Sequence, residues 1–302
     1  MSNSRGSILR QVSVACLVVV CLVGHARAQD LGQLFIDVAN QAGERVTDLT
    51  PEDFTVFAGG VQCVVVSAEL GSQPMKIALL IDNSVPLNRS NGALTSLRAG
   101  LDGFLTALPE QHEVALATIG RNIQWRVDFT NDRDELRESA GEIFIGRGAG
   151  PILLDGLKET WERRFEDEES WPIFVVVATD GPEESGNYNQ NDYADLANEL
   201  IANSVTVHVM LLRGSVTNSV VTDYAINLTA VTGGLHEVFG VGTRLATALP
   251  EMATKLGAHY DEVSQRYRVI YERSNPSATS LSVGVERGGV VVQSYIDRRM
   301  SE

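Results

Sequence analysis

Two stretches of this sequence, KIALLID at 76–82 and WPIFVVVATD at 171–180, are apolar almost from end to end, and each stops on an aspartate. A strand with one face in water alternates apolar and polar residues, whereas an unbroken apolar run is buried on both faces. A parallel sheet covered by helices on both sides provides that burial. The neighbouring segments fit such a sheet. GALTSLRAGLDGFLTAL (92–108) carries apolar residues at helical spacing and is ended by Pro109. EVALATIG (113–120) reads as a strand, and IQWRVDFT (123–130) follows closely enough to pair with it as a hairpin edge. DRDELRESAGEI (132–143) is a short polar helix, and GPILLDGLKETWERRFED (150–167) is a helix with Pro151 in its first turn. A loop follows over 181–191, then a helix over 192–203 with Asp192 as its cap and a buried strand over 204–214. A helix over 218–234 stops at Gly233-Gly234, a short strand covers 235–239, and a helix over 243–263 is bent or restarted at Pro250.

The pattern on either side is β. LFIDVAN (34–40) is a strand, LTPEDF holds one helical turn after Thr50, and FTVFAGGVQCVVVSAEL (54–70) reads as a hairpin around Gly59-Gly60. QRYRVIYE (265–272) is a strand, and 278–296 reads as a hairpin around Gly288-Gly289. Each end alone is too small to bury a core, so the two are expected to meet. The predicted fold is α/β: a doubly wound, mostly parallel sheet with helices on both faces, plus a small β subdomain built from the N- and C-terminal segments. The expected divisions are a β segment at 31–72, an α/β domain at 73–264, and a β segment at 265–297 packing on the first.

Hydrophobic residues make up 44% of the chain, which removes it from the disordered class. The formal charge of −15 argues against nucleic acid and anionic lipid as partners. Arg5 and Arg10 precede the apolar run VSVACLVVVCLVG, and ARA follows at 26–28. That order is a secretory signal peptide cut after Ala28, which makes the chain an exported one, periplasmic or secreted, with no membrane insertion after cleavage. Cleavage removes two of the three cysteines. Cys63 alone makes no disulfide framework and reads as a small buried hydrophobe.

Ligands of open α/β sheets bind outside the carboxyl ends of the strands. Three loops are expected to converge there: 82–86, 146–151 and 180–186. They carry Asp82, Ser84 and Asp180, oxygen donors of the kind hard cations take. Together with the frame VANQAGERVTDLTPEDFTVFAGG (38–60), the ordered motifs DNS, AGPILLDGL and ATDGPE give the chain its likeness. It resembles a von Willebrand factor type A domain, in particular its secreted bacterial subgroup, over about 33 to 297.

The resemblance implies a metal-ion-dependent adhesion site. Such a site uses an Asp-x-Ser-x-Ser run, a Thr from a Gly-Gly-Thr loop and the Asp of a Thr-Asp-Gly, and leaves one position for a partner's carboxylate. Asp82, Ser84 and Asp180 match this pattern, while Pro86 and Pro151 stand where hydroxyl ligands belong. What the resemblance implies is a non-catalytic, adhesion-type protein-protein interaction module with a degenerate site. Its cofactor is none, or weakly bound Mg²⁺ or Mn²⁺, and its partner is a protein. A structural or envelope-assembly module without a defined ligand site is an alternative, separated by whether partner binding needs Asp82 and a divalent ion. A hydrolase-type enzyme is a further one. Against it, DNS lacks the second carboxylate of an Asp-x-Asp phosphotransferase. GRGAG (146–150) follows a polar helix and lacks Lys-Ser/Thr, His112, His208, His236 and His259 have no metal-ligand spacing, and no Gly-x-Ser-x-Gly occurs.

Overall fold

The computed structural model describes residues 31–165, 171–186, 190–214, 219–273, 280–296 and 298–299. The expected signal peptide and the acidic run at 166–170 lie outside the described residues. The two apolar runs are β5 (Met75–Ile81) and β8 (Trp171–Thr179), which pair in parallel at the middle of a six-stranded sheet. Beside β8 lie β9 (Thr206–Leu212) and β10 (His236–Phe239); beside β5 lie β6 (Glu113–Thr118) and β7 (Gln124–Thr130). Every strand of this sheet runs parallel to its neighbours except β7, which returns antiparallel along β6.

Successive side chains of β5 go to opposite faces. Met75, Ile77, Leu79 and Ile81 pack into one core with α1 (Ala93–Ala107), α2 (Arg133–Gly141) and α6 (Leu245–Val263). Ala78 and Leu80 join a second core with α3 (Leu153–Arg164), α4 (Gln190–Ala202) and α5 (Val220–Thr232). The α1–α6 crossing is close: a Cβ at Gly100 would come within 2.2 Å of the Leu245 carbonyl oxygen. Pro250 does not interrupt α6, and its ring lies against Gly103 of α1, which offers no side chain to obstruct it. Two other helix starts differ from expectation. α3 begins at Leu153, leaving Pro151 in the preceding loop, and α4 begins at Gln190, so Asp192 sits in its first turn rather than capping it.

The end segments form two antiparallel sheets over a shared core. One has the order β13 (Val290–Tyr295), β1 (Leu31–Asn40), β11 (Tyr267–Glu272), β4 (Val65–Leu70). The other has the order β12 (Leu281–Val285), β2 (Phe54–Ala58), β3 (Val61–Cys63). The hairpin around Gly59-Gly60 forms, though it is shorter than expected, and the one around Gly288-Gly289 does not form. β2 pairs with β3, but the chain then crosses at Val64 and β4 joins β11; β12 pairs with β2, while β13 pairs with β1. Two intact hairpins would each leave an apolar face uncovered. Distributing their strands between layers closes one core around Leu34, Ile36, Val56, Cys63, Val269 and Tyr271. The turn at LTPEDF is a 3-10 turn, Pro51–Asp53, in which the Asp53 carboxylate accepts the Thr50 amide at 2.8 Å.

Arg298 joins the two parts. Its guanidinium is buried between the rings of Phe35 on β1 and Trp171 on β8, at 4.7 and 4.2 Å from their centroids. Burial brings it down to about 9. A chain ending at Arg273 loses β12, β13 and this contact. Hydrogen exchange should then show lost protection across residues 33–70 as well; unchanged protection there would mean that the two end segments are independent.

Two fully buried histidines are held by ring nitrogens that accept backbone amides: His112 Nδ1 from Met75 and His208 Nδ1 from Leu235, both at 3.1 Å. Burial first, then neighbouring positive charge from Arg133 and His259 respectively, lowers His112 to about 4 and His208 to about 3. The unfolded chain takes up both protons near pH 6.5 and the folded chain does not. The stability they contribute is therefore present above pH 6.5 and lost as pH falls. Denaturant titrations should show a slope from this pair approaching about 2.7 kcal/mol per pH unit near pH 5. Replacing both by Gln should flatten that slope, and an unaltered slope would refute the assignment.

Candidate functional site

The first and third loops leave the carboxyl ends of β5 and β8, the middle loop runs from α2 to α3, and backbone hydrogen bonds join the three. The Val85 amide donates to Gly148 O at 2.9 Å, the Gly146 amide to Asn83 O at 2.7 Å, and the Glu184 amide to Pro151 O at 2.8 Å. The Asn83 side chain adds a bond from Nδ2 to Phe144 O at 2.9 Å. These approaches leave no room for side chains at the glycines. A Cβ on Gly148 would lie 1.4 Å from Gly120 O, one on Gly150 1.9 Å from Pro182 O, and one on Gly181 2.7 Å from Ala149 O and 3.0 Å from Pro86 Cγ. Pro86 is buried in this contact between the first and third loops.

Asp82, like Ser84, has 0% of its surface exposed. Its Oδ1 accepts the Ser84 amide at 2.8 Å, and its Oδ2 accepts both the amide, at 3.0 Å, and the hydroxyl of Thr179. Its own amide donates to Val177 O at 2.8 Å. Burial raises this carboxyl above its ordinary value, against the donors of Ser84 and Thr179, which lower it. The Ser84 hydroxyl lies beside the carboxylate, fully buried, without the geometry of a hydrogen bond to any partner. Asp180 is 2% exposed, and its Oδ2 accepts the Gly214 amide at 2.7 Å. The chain thus brings the Asp82 and Ser84 side chains together on one loop, while Asp180 turns towards the end of β9.

Mg²⁺ prefers near-octahedral oxygen ligands and keeps several waters. The donors here do not compose such a set as they stand. Asp82 already accepts three protein donors, Asp180 accepts a backbone amide, and Pro86 and Pro151 offer no side-chain oxygen. Among the described residues, no group of three or more His, Cys, Asp or Glu side chains could hold a metal ion.

Several residues of this edge carry no signal in the sequence. Glu183 reaches the start of α3, where Oε2 accepts the Leu153 amide at 3.2 Å and Oε1 accepts the Ser185 amide at 3.0 Å. Burial raises its pKa, opposed by hydrogen bonds from Ser185, Leu154 and Leu153. Ser185 Oγ accepts the Asp155 amide at 2.9 Å, Asp155 Oδ2 accepts Gly186 N at 2.8 Å, and Glu184 accepts the Ala149 amide at 3.1 Å. The Glu183 carboxylate and the Ser185 hydroxyl of the third loop therefore cap the helix that follows the second, a pairing across some thirty residues that local capping patterns do not reveal. Phe144, 59% exposed, and Val85, 44% exposed, stand on the rim.

No protein-family model matches the sequence, and a search of the curated proteins finds no match. The solved structures do match. A von Willebrand factor type A protein from Catenulispora acidiphila aligns over 90% of this chain and 77% of its own, with a TM-score of 0.55 and 10% identity. Proximal thread matrix protein 1 from the mussel byssus aligns over 70% of this chain with a TM-score of 0.50 and 13% identity. The same protein with a zinc-occupied MIDAS motif aligns over 68%, at 0.51 and 10%. In both mussel structures this chain spans half the length of the one it matches. Among the described residues, no helix is long and apolar enough to cross a membrane. The sheet order, the helices on both faces and these alignments agree: the chain has the von Willebrand factor A fold.

Proposed function

We propose that this chain is an exported, periplasmic or secreted, non-catalytic protein-binding module of the adhesion type. The observation that carries the reading is the joining of three loops at the sheet's carboxyl edge by backbone and carboxylate hydrogen bonds. A surface held in this way is preformed, so a partner need not order it on binding. The resemblance to the secreted bacterial subgroup and the 31–72, 73–264, 265–297 division belong to the same reading. The metal site is degenerate. Asp82 serves as a fastening between β5 and β8 and is itself held by the Ser84 amide, Pro86 and Pro151 stiffen the loops by fixing φ, and no tightly held cofactor is used.

Asp82→Ala would strand the Thr179 amide and hydroxyl and the Ser84 amide in a buried place. It should therefore cost about 3 kcal/mol in denaturant unfolding, and an unchanged stability would remove Asp82 from the fastening role. Titration calorimetry with Mg²⁺ and Mn²⁺ should give no dissociation constant tighter than about a millimolar, the range of weak oxygen sites. Pro86→Ser combined with Pro151→Thr should tighten it. Micromolar affinity in the wild type, or no gain in the double variant, would contradict the degenerate-site reading. A protein captured by the wild-type chain should stay bound in chelator and be lost with Ala149→Trp, which places a bulky ring on the exposed middle loop. Capture that survives Ala149→Trp would move the binding surface elsewhere.

A further inference from the structure

Asn91 and Gly92 form the one Asn-Gly pair of the sequence, and they stand between the turn after β5 and the start of α1. Both residues are exposed. They are the central residues of a turn closed by the Ala93 amide, which donates to Ser90 O at 3.1 Å. Gly92, at φ 75° and ψ 1°, has the left-handed geometry of the third position of a type II turn, which glycine adopts without strain. A Cβ there would meet nothing nearer than Thr243 Cγ2 at 3.8 Å, so the peptide between the two residues has room to turn.

Asparagine is a thermolabile side chain because the amide nitrogen of the next residue can attack its Cγ. Elsewhere the fold keeps these groups occupied. Asn83 Nδ2 donates to Phe144 O, and the Ser84 amide to Asp82 Oδ1. Asn203 Nδ2 donates to Glu199 O, and the Ser204 amide to Ile201 O. The Asn40 carboxamide accepts the Ala42 and Glu44 amides, and the Asp132 amide that follows Asn131 donates to Thr130 Oγ1. At 91–92 the described residues offer a hydrogen-bond partner neither to the Asn91 carboxamide nor to the Gly92 amide.

We propose that Asn91 is a site of spontaneous main-chain modification, converting through a cyclic imide with Gly92 into aspartate and isoaspartate. The Gly92 nitrogen gives up its proton to solvent and bonds to Asn91 Cγ, the Cγ–Nδ2 bond breaks, and ammonia leaves. Water then opens the ring. Addition at Cγ yields aspartate. Addition at the main-chain carbonyl carbon yields isoaspartate, whose main chain runs through Cγ and is longer by a methylene. The chain is fixed on both sides of the lengthened residue. Ser90 Oγ accepts the Gly242 amide at 2.7 Å, and buried Ala93 packs so closely that a Cβ on Gly242 would come within 2.3 Å of its own. Modification therefore loosens the attachment of the loop after β10 to the start of α1.

The test keeps the full chain for weeks at mildly alkaline pH and reads its peptides by electron-transfer fragmentation, which separates isoaspartate from aspartate. Asn91 should convert at least about tenfold faster than any other asparagine of the described residues, with isoaspartate the main product. Asn91→Gln should remove that product and leave the slower sites unchanged, since its longer side chain cannot close the same ring. Hydrogen exchange at the Gly242 amide should rise in the aged wild type and stay constant in the aged Asn91→Gln chain, with circular dichroism showing both folded. Conversion at Asn91 no faster than at Asn203 would overturn the proposal. Unchanged exchange at Gly242 in fully converted protein would overturn the loosening of the loop.

Discussion

The carboxyl edge of the central sheet depends on how one buried carboxylate is satisfied. Asp82 leaves β5 where the strand has no further neighbour on its own loop, and it is closed off from water. A buried carboxylate is tolerated only when donors surround it. Thr179 supplies two from the last residue of β8 and Ser84 a third from the next turn of chain. This ties together the ends of the two central strands, β5 and β8, and sets the path of 83–86. Asn83 and Val85 can then meet the middle loop through Phe144, Gly146 and Gly148, and Pro86 can pack on Gly181. The third loop completes the set by placing Glu183 at the start of α3. The edge is one hydrogen-bonded unit built from residues nearly a hundred positions apart.

Much of this was legible in the sequence because burial leaves a direct trace. The unbroken apolar runs at 77–81 and 171–178 mark strands covered on both faces, and the helices between them follow from apolar spacing. The loops that carry Asp82 and Asp180 could be placed because parallel strands expose their carboxyl ends in a common direction. What could not be read was partnership across distance. β2 and β3 pair across Gly59-Gly60 as a hairpin, but the chain beyond Val64 passes to the other layer, and the strands flanking Gly288-Gly289 divide between layers. Alternation gives the face of a strand but not its neighbour. The Glu183 cap on α3 and the placing of Pro151 outside that helix escape for the same reason. Asp180 was legible as a carboxylate at a strand end, but its turn towards Gly214 was not.

The two prolines change the physical character of the edge. A hydroxyl at either position could move between a metal and the backbone, whereas a proline ring can only pack and fix the chain. Buried Pro86 fills the contact with Gly181 that a more open loop would leave to water. On the proposed reading, binding falls to the fixed surface of the joined loops, where Val85 and Ala149 face solvent. In this account the fold retains the place where ligands bind and changes the means: a preformed surface in place of an ion.

The most direct test is a crystal structure of the full chain grown with Mn²⁺ and recorded at a wavelength where manganese scatters anomalously. The account predicts no anomalous peak beside the Ser84 hydroxyl, with the Asp82 carboxylate still on the Thr179 and Ser84 donors. A peak bonded to Ser84 and within reach of Asp82 and Asp180, with those hydrogen bonds released, would contradict it.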